Sequence, residues 1–128
     1  MLFRSLTWIV DARREDNLVP IATLPLPPKE KHATPNGRYG SHNMHENRPG
    51  PSFRSSNRIV ASYFGGGVRV HDISDPFQPR EIAYYVAETP AGSKAGSIQI
   101  NDVYVDENQV VYAMDRFAGG LYVMELTV

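Results

Sequence analysis

Short runs in which aliphatic residues recur at every second position make up much of this chain. Val103-Tyr104-Val105 and Leu121-Tyr122-Val123-Met124 are two examples. A repeat of two residues is typical of β-strands, whose side chains point to opposite faces in turn. No segment has the helical repeat over ten residues. The pattern predicts eight strands, at residues 7–12, 19–24, 58–63, 68–73, 81–86, 98–105, 110–114 and 121–126.

Residues that favour tight turns separate several of these strands. Asp75-Pro76 and Asp106-Glu107-Asn108 are the clearest cases, because proline presets its backbone angle and Asp or Asn side chains bond the local backbone. Short strands joined by such turns predict an all-β fold, which could be a sandwich, a barrel or a propeller.

Two segments of the chain repeat each other. Residues 112–125 align with residues 59–72 without a gap, at a shift of 53 residues, and a shorter third copy at residues 11–22 matches residues 72–83. Repeats of this length are typical of stacked units that bury their apolar faces only against one another. Among the three all-β architectures, the repeat favours the propeller.

The middle copy also resembles a known repeat family. Residues 66–83 read Gly-Gly-Val-Arg-Val-His-Asp-Ile-Ser-Asp-Pro-Phe-Gln-Pro-Arg-Glu-Ile-Ala. They resemble the unit of LVIVD-repeat β-propeller proteins, in which a hydrophobic strand ends in Asp-x-Ser-Asp-Pro-x-x-Pro and the next strand follows at once. The resemblance extends loosely over residues 6–126. It is weaker where Arg13-Arg14-Glu15 replaces Ser-Asp-Pro and where Glu125 replaces Asp.

The predicted strands can be counted against a four-stranded propeller blade. Residues 6–26 supply half a blade, residues 42–87 a full blade, and residues 98–126 three strands of another. Residues 1–128 are therefore expected to form a single partial β-propeller of about two and a half blades, like the C-terminal part of a larger ring. Open edge strands pair readily with other chains, so the expected partners are other blades or copies of this chain.

Composition narrows the classes of function. The 13 Lys and Arg residues nearly balance the 14 Asp and Glu residues, so no field of one sign favours nucleic acid. The chain has no cysteine, and hence no thiolate nucleophile and no cysteine-bound zinc. No apolar run is long enough for a membrane span, and residues 1–11 lack the apolar length of a secretory signal. The cellular compartment is left open.

A long polar loop at residues 27–57 is the segment most suited to chemistry. It is rich in Pro, Gly, Asn and Arg, and it holds three of the four histidines. A connection of this length in a compact domain is usually functional or disordered. The candidate ligand-binding residues lie in this loop and at the ends of the last strands: Arg38, His42, His45, Glu46, Asn101, Asp102, Asp115 and Arg116.

The repeats suggest how these residues converge. His45-Glu46 precede the second strand of their blade, as Asn101-Asp102 do in the last blade. By resemblance to propellers generally, this position opens the innermost strand, close to the central channel where ligands and metals bind. Both pairs are therefore expected at one channel mouth, with His42 and Arg38 arriving from the long loop as a lid.

Two functions from different classes fit this arrangement. The first is a non-catalytic module that binds a ligand or a protein. The second is a metal-assisted enzyme acting on a small molecule, with a transition metal held by His42 and His45. The spacing His-x-x-His-Glu differs from the zinc-protease motif, so the imidazoles could instead bond backbone carbonyls. No Gly-x-Ser-x-Gly elbow is present, and no catalytic residue is assigned.

Overall fold

The fold is described by a computed structural model covering residues 4–128, with Arg4 described by its backbone alone. Ten strands occur in this part of the chain. They are β1 Arg4–Ser5, β2 Trp8–Asp11, β3 Val19–Thr23, β4 Tyr39–Gly40, β5 Arg58–Ser62, β6 Val68–Asp72, β7 Arg80–Tyr85, β8 Ile100–Val105, β9 Val110–Asp115 and β10 Leu121–Glu125. One short helix, α1, spans Lys29–His32.

The strands form three small antiparallel sheets. The first sheet is β2–β3, the middle sheet is β5–β6–β7 and the last sheet is β8–β9–β10, while β1 pairs with β4 in parallel. None of these sheets closes on itself. The all-β prediction is therefore confirmed. Within residues 4–128 no helix is long and apolar enough to cross a membrane.

Residues 42–46, called the edge segment below, add an irregular fourth strand to the middle sheet. The His42 N–H donates to the carbonyl of Ser62 and the His45 N–H donates to that of Val60, both at 2.8 Å. Met44 forms an antiparallel bridge with Ala61. The long polar loop predicted for residues 27–57 thus contains α1, β4 and this edge segment.

The main hydrophobic core lies between the middle and last sheets. Because side chains alternate along a strand, each sheet turns one row of aliphatic residues toward the other. The buried members are Val60, Val68, Val70, Ala87, Ile98, Ile100, Val103, Val105, Val111, Ala113 and Leu126. Two backbone hydrogen bonds between Phe64 and Ile100, at 3.0 and 3.1 Å, also join the two sheets near the edge segment. These contacts fix the two sheets face to face.

The hairpin between β5 and β6 depends on a glycine. Gly67 has a φ of +75°, a region that side-chain-bearing residues rarely adopt. A methyl group at this position would also overlap the carbonyl oxygen of Tyr85, at the end of β7. The hairpin therefore needs glycine both for its backbone angle and for the close approach of the neighbouring strand.

We expect Gly67→Ala to lower the free energy of unfolding by about 3 kcal/mol or more, because strain in φ is added to displacement of β7. Gly92→Ala is the matched control, since Gly92 has a φ of +78° but no atom lies within 4 Å of the place its new methyl group would occupy. This control should cost about 1 kcal/mol. Urea unfolding measures both, and equal losses would contradict the role of the close approach.

Candidate functional site

A cleft of about 690 Å³ opens between the edge segment and the outer face of the last sheet. Four of the residues predicted from the sequence line it, namely His42, His45, Glu46 and Asp102. The complete lining is His42, Asn43, Met44, His45, Glu46, Arg48, Ile59, Asp102, Val103, Tyr104, Tyr112, Met114 and Leu121. Residues from two different repeats therefore meet at one concave surface.

His42 is held at the mouth of the cleft by one backbone hydrogen bond. Its Nδ1 lies 2.7 Å from the carbonyl oxygen of Asn101. Because a carbonyl only accepts, Nδ1 carries the proton. The ring packs on Phe64 with 4.7 Å between the centroids. In this tautomer Nε2 of His42 is an acceptor, and no hydrogen bond to it occurs among the described residues.

His45 is more tightly constrained, because both its ring nitrogens bond the backbone. Its Nε2 lies 2.7 Å from the carbonyl oxygen of Phe53, and its Nδ1 accepts the N–H of Val105 at 3.1 Å. These partners define a neutral ring protonated at Nε2. The ring also meets Tyr104 edge-on at 5.5 Å between centroids. His45 thereby ties the edge segment to β8 and to the segment around Phe53.

This geometry bears on the predicted metal pair. Ligation by His45 would break one of its two backbone hydrogen bonds, while His42 offers a single ring nitrogen. In the described part of the chain, no three His, Cys, Asp or Glu side chains are grouped closely enough to hold a metal ion. The structure gives both imidazoles the alternative role, in which each bonds a backbone carbonyl.

Aromatic and charged groups form the rest of the cleft. The guanidinium of Arg48 lies 5.5 Å from the ring centroid of Tyr104, and the rings of Tyr104 and Tyr112 are 6.2 Å apart. Asp102 is exposed and accepts the N–H of Val103 at 2.9 Å. Among the described residues, neither Glu46 nor Asp102 belongs to an ion pair. Their carboxylates can therefore bond a ligand without losing an internal cation.

Two other predicted residues sit beside the cleft rather than in it. Asn101 supplies its carbonyl oxygen to His42 and to the Ser62 hydroxyl, the latter at 3.1 Å. The Arg38 guanidinium lies 5.7 Å from the Phe64 ring centroid. Asn101 therefore bonds His42 directly, whereas Arg38 contacts the phenyl ring on which His42 packs.

Asp115 and Arg116 are brought to a turn away from the cleft lining. Asp115 is buried and accepts the N–H groups of Gln99 at 3.1 Å and Phe117 at 2.6 Å. The Arg116 guanidinium lies 5.4 Å from the Phe117 ring centroid. In the structure this carboxylate orders the β9–β10 turn.

Sequence reasoning missed the aromatic side of the cleft. Tyr104 and Tyr112 are opposite each other on adjacent strands, and Met114 follows on the same face. The two-residue alternation carries this signal, because it separates these residues from the buried valines on the opposite face. Arg48 gave no such signal, since its position depends on how the segment after residue 46 folds back.

A second polar group lies on the opposite face of the middle sheet. Its centre is Arg69, which is buried and donates to both carboxylate oxygens of Glu81 at 3.0 Å. Its Nε donates to the carbonyl of Gly66 at 2.8 Å, and its other terminal nitrogen contacts Nε2 of His32 at 3.1 Å. The ring centroid of Tyr84 lies 4.5 Å from the guanidinium carbon of Arg69. This buried charge is therefore fully partnered.

His71 borders this polar group and is itself fully buried. Its Nε2 lies 3.5 Å from the hydroxyl of Tyr63, while its Nδ1 has no hydrogen-bond partner within residues 4–128. Burial lowers the pKa of His71, and burial together with the charge of Arg69 lowers the pKa of His32. The folded chain therefore favours the neutral form of both rings more than the unfolded chain does.

Comparisons of the chain with protein-family models, with curated proteins and with solved structures give no match. Function is therefore inferred from the geometry of the site.

We expect His45→Ala to lower the free energy of unfolding by about 2 kcal/mol, because the partly buried carbonyl of Phe53 and the N–H of the buried Val105 lose their partners. His42→Ala should cost less than about 1 kcal/mol, since this ring is exposed and makes one such bond. Urea unfolding compares the two variants. Equal losses would contradict the structural role given to His45.

The lowered pKa values of His71 and His32 predict how stability depends on pH. Below about pH 6.5, the ordinary pKa of histidine, the unfolded chain binds protons that the folded chain does not bind. The free energy of unfolding should therefore be level above about pH 7 and should fall as the pH is lowered toward 5. In His71→Gln the fall should be smaller, and in the double variant with His32→Gln smaller still. Urea unfolding at several pH values tests this, and an unchanged fall in both variants would contradict it.

Proposed function

We propose that this chain is a β-propeller repeat module that binds a small ligand or a partner protein at the cleft. In this proposal the first sheet is half a blade, the middle sheet with the edge segment is a full blade, and the last sheet is three strands of a third. Other blades complete the ring. The four-stranded group formed by residues 42–46 and β5–β7 supports this proposal. Its four strands lie side by side in the order in which they follow one another along the chain.

The motif behind the resemblance to LVIVD repeats also supports the proposal. Asp72 accepts the N–H of Ser74 at 2.9 Å and pairs with Arg80 at 2.6 Å, and Asp75 accepts the N–H of Phe77 at 3.0 Å. Serine and arginine hold the pKa of Asp72 at about 2. These residues order the turn between β6 and β7, as expected for a motif that repeats for structural reasons.

The observation that carries the proposal is the convergence of two repeats on one cleft. His42 and Glu46 come from the edge segment and Asp102 comes from β8. Ligand sites typically combine apolar and aromatic walls with a few polar groups, and Tyr104, Tyr112 and Met114 provide such a wall here. Nε2 of His42 and the carboxylates of Glu46 and Asp102 are the groups offered to a ligand.

Binding is favoured over catalysis because, among the residues that the structure describes, only one of the two imidazoles in the cleft keeps a free ring nitrogen. A general base needs a nitrogen that can take a proton from substrate, and both nitrogens of His45 are bonded to the backbone. The alternative, a metal-assisted enzyme at this mouth, would have to use His42 with Glu46 or Asp102.

A screen of small neutral and singly charged fragments, followed on backbone amide resonances of ¹⁵N-labelled protein, tests the proposal. Amides of residues 42–48, 102–104 and 112–114 should shift together. Glu46→Gln should weaken binding of cationic fragments, whereas Glu88→Gln, an exposed residue outside the cleft, should not. Shifts scattered over the surface, or confined to another region, would contradict the site.

The same labelled protein separates the two functional classes. Zinc and manganese salts are titrated while the ring resonances of His42 and His45 are followed. Saturable shifts of both rings at micromolar metal would support the metal-assisted enzyme. Fragment shifts without such metal binding would support the binding module.

A further inference from the structure

The outer face of the last sheet is apolar and uncovered. It is formed by Tyr112, Met114, Leu121 and Val123, and we call it the last-sheet face. Leu121 pairs with Met114 and Val123 pairs with Tyr112, so the four side chains are contiguous. Leu121 is 59% exposed and Val123 is 60% exposed. Contiguous exposed apolar surface of this kind marks an interaction site.

The internal repeat indicates what belongs on this face. At the shift of 53 residues, Leu121 and Val123 correspond to Val68 and Val70 of the middle sheet. Those two valines are each only 5% exposed, because the last sheet packs on them. In one copy of the repeat, therefore, the equivalent surface is covered by the sheet that follows.

A complementary face is open on the first sheet. Trp8 is 57% exposed and Val10 is also exposed, and we call these two residues the first-sheet face. The alignment of Asp11 with Asp72 sets Trp8 and Val10 against Arg69 and His71. In the middle sheet these two positions are buried beneath the chain that precedes it, including His32. Within residues 4–128, Trp8 and Val10 thus have no cover like the one over Arg69 and His71.

The two faces of the middle sheet are covered by different parts of the chain. The middle sheet packs on the last sheet through Val60 and Val70, and its opposite face meets the chain around His32 through Arg69. In chain order the first sheet precedes the middle sheet and the last sheet follows it, so the two open faces belong to the units at opposite ends of that order.

We infer that the last-sheet face of one copy packs on the first-sheet face of a second copy. This inference rests on the proposed function, since it extends the stacking of blades from one chain to the next. The contact joins two different surfaces, so repeated contacts produce a ring if the rotation closes. In this contact the second copy covers Leu121 and Val123, just as the last sheet covers Val68 and Val70 within one chain.

This contact would also complete the candidate site. Met114 and Leu121 belong both to the last-sheet face and to the lining of the cleft. The cleft is consequently open on the side where the second copy packs. The first sheet of that copy supplies the missing wall, and ligand binding is coupled to assembly.

Sedimentation velocity of the full chain over a range of concentrations tests the inference. The wild-type chain should sediment at a multiple of its mass of 14.3 kDa. Val123→Lys and Trp8→Glu should each sediment as single chains, because each places a charge in the contact. Phe77→Lys is the matched control, since Phe77 is 61% exposed but lies in the turn after β6, and it should remain assembled.

Mixing the two interface variants gives the decisive measurement. Val123→Lys keeps its first-sheet face and Trp8→Glu keeps its last-sheet face, so the mixture should form a species of twice the chain mass. Circular dichroism of each variant verifies that it is folded. If Val123→Lys prevents assembly but Trp8→Glu does not, the last-sheet face pairs with itself and the inference is overturned.

The remaining outcomes separate this inference from the proposed function. A wild-type chain that sediments as a monomer at every concentration overturns the inference, as does a mixture that forms no heterodimer. Fragment binding at the cleft is measured on the same wild-type chain. If cleft amides respond there while the wild-type chain is monomeric, the proposed function stands and the second-copy contact fails.

Discussion

The packing of the middle sheet on the last sheet is the interaction on which the rest of the structure depends. Neither sheet can bury its aliphatic row alone, because such a row must pack against another element. Together they enclose Val60, Val70, Val105 and Val111 in one apolar layer. The cleft follows from this packing, because it forms where the edge segment of one sheet meets β8 of the other.

The imidazole of His45 extends this constraint to the chain beyond the sheets. The edge segment has no regular alternation, and its backbone pairing with β5 is incomplete. By accepting the Val105 N–H and donating to the Phe53 carbonyl, the ring joins the edge segment to β8 and to the segment around Phe53, which is itself bonded to β8 through the Phe53 N–H and the Val105 carbonyl at 3.1 Å. A histidine in a polar loop can therefore be a structural element, even where its neighbours form a ligand site.

The sequence predicted what depends on local pattern and missed what depends on long-range contacts. Alternation located β2, β3 and β5 to β10, because each is long enough, at four to six residues, to show the two-residue pattern. It missed β1 and β4, whose two residues each are too few to establish a repeat. It brought Glu46 and Asp102 toward one mouth through the repeat. It could not show that Asp115 would be used by Gln99, because that hydrogen bond joins residues 16 positions apart through a turn.

The two faces of the middle sheet are covered in different ways. One face packs on apolar side chains of the last sheet, and the other buries the guanidinium of Arg69. Arg69 and His71 correspond at the repeat shift to Tyr122 and Met124, which pack against the apolar core of the last sheet. An apolar face tolerates any sheet of suitable shape. A buried guanidinium is less tolerant: Glu81 lies on the same sheet, but a cover without the acceptor nitrogen of His32 would leave one of the Arg69 N–H groups unpaired. The polar face of the middle sheet is therefore covered by its own chain, and the last-sheet face is the one free to accept another copy.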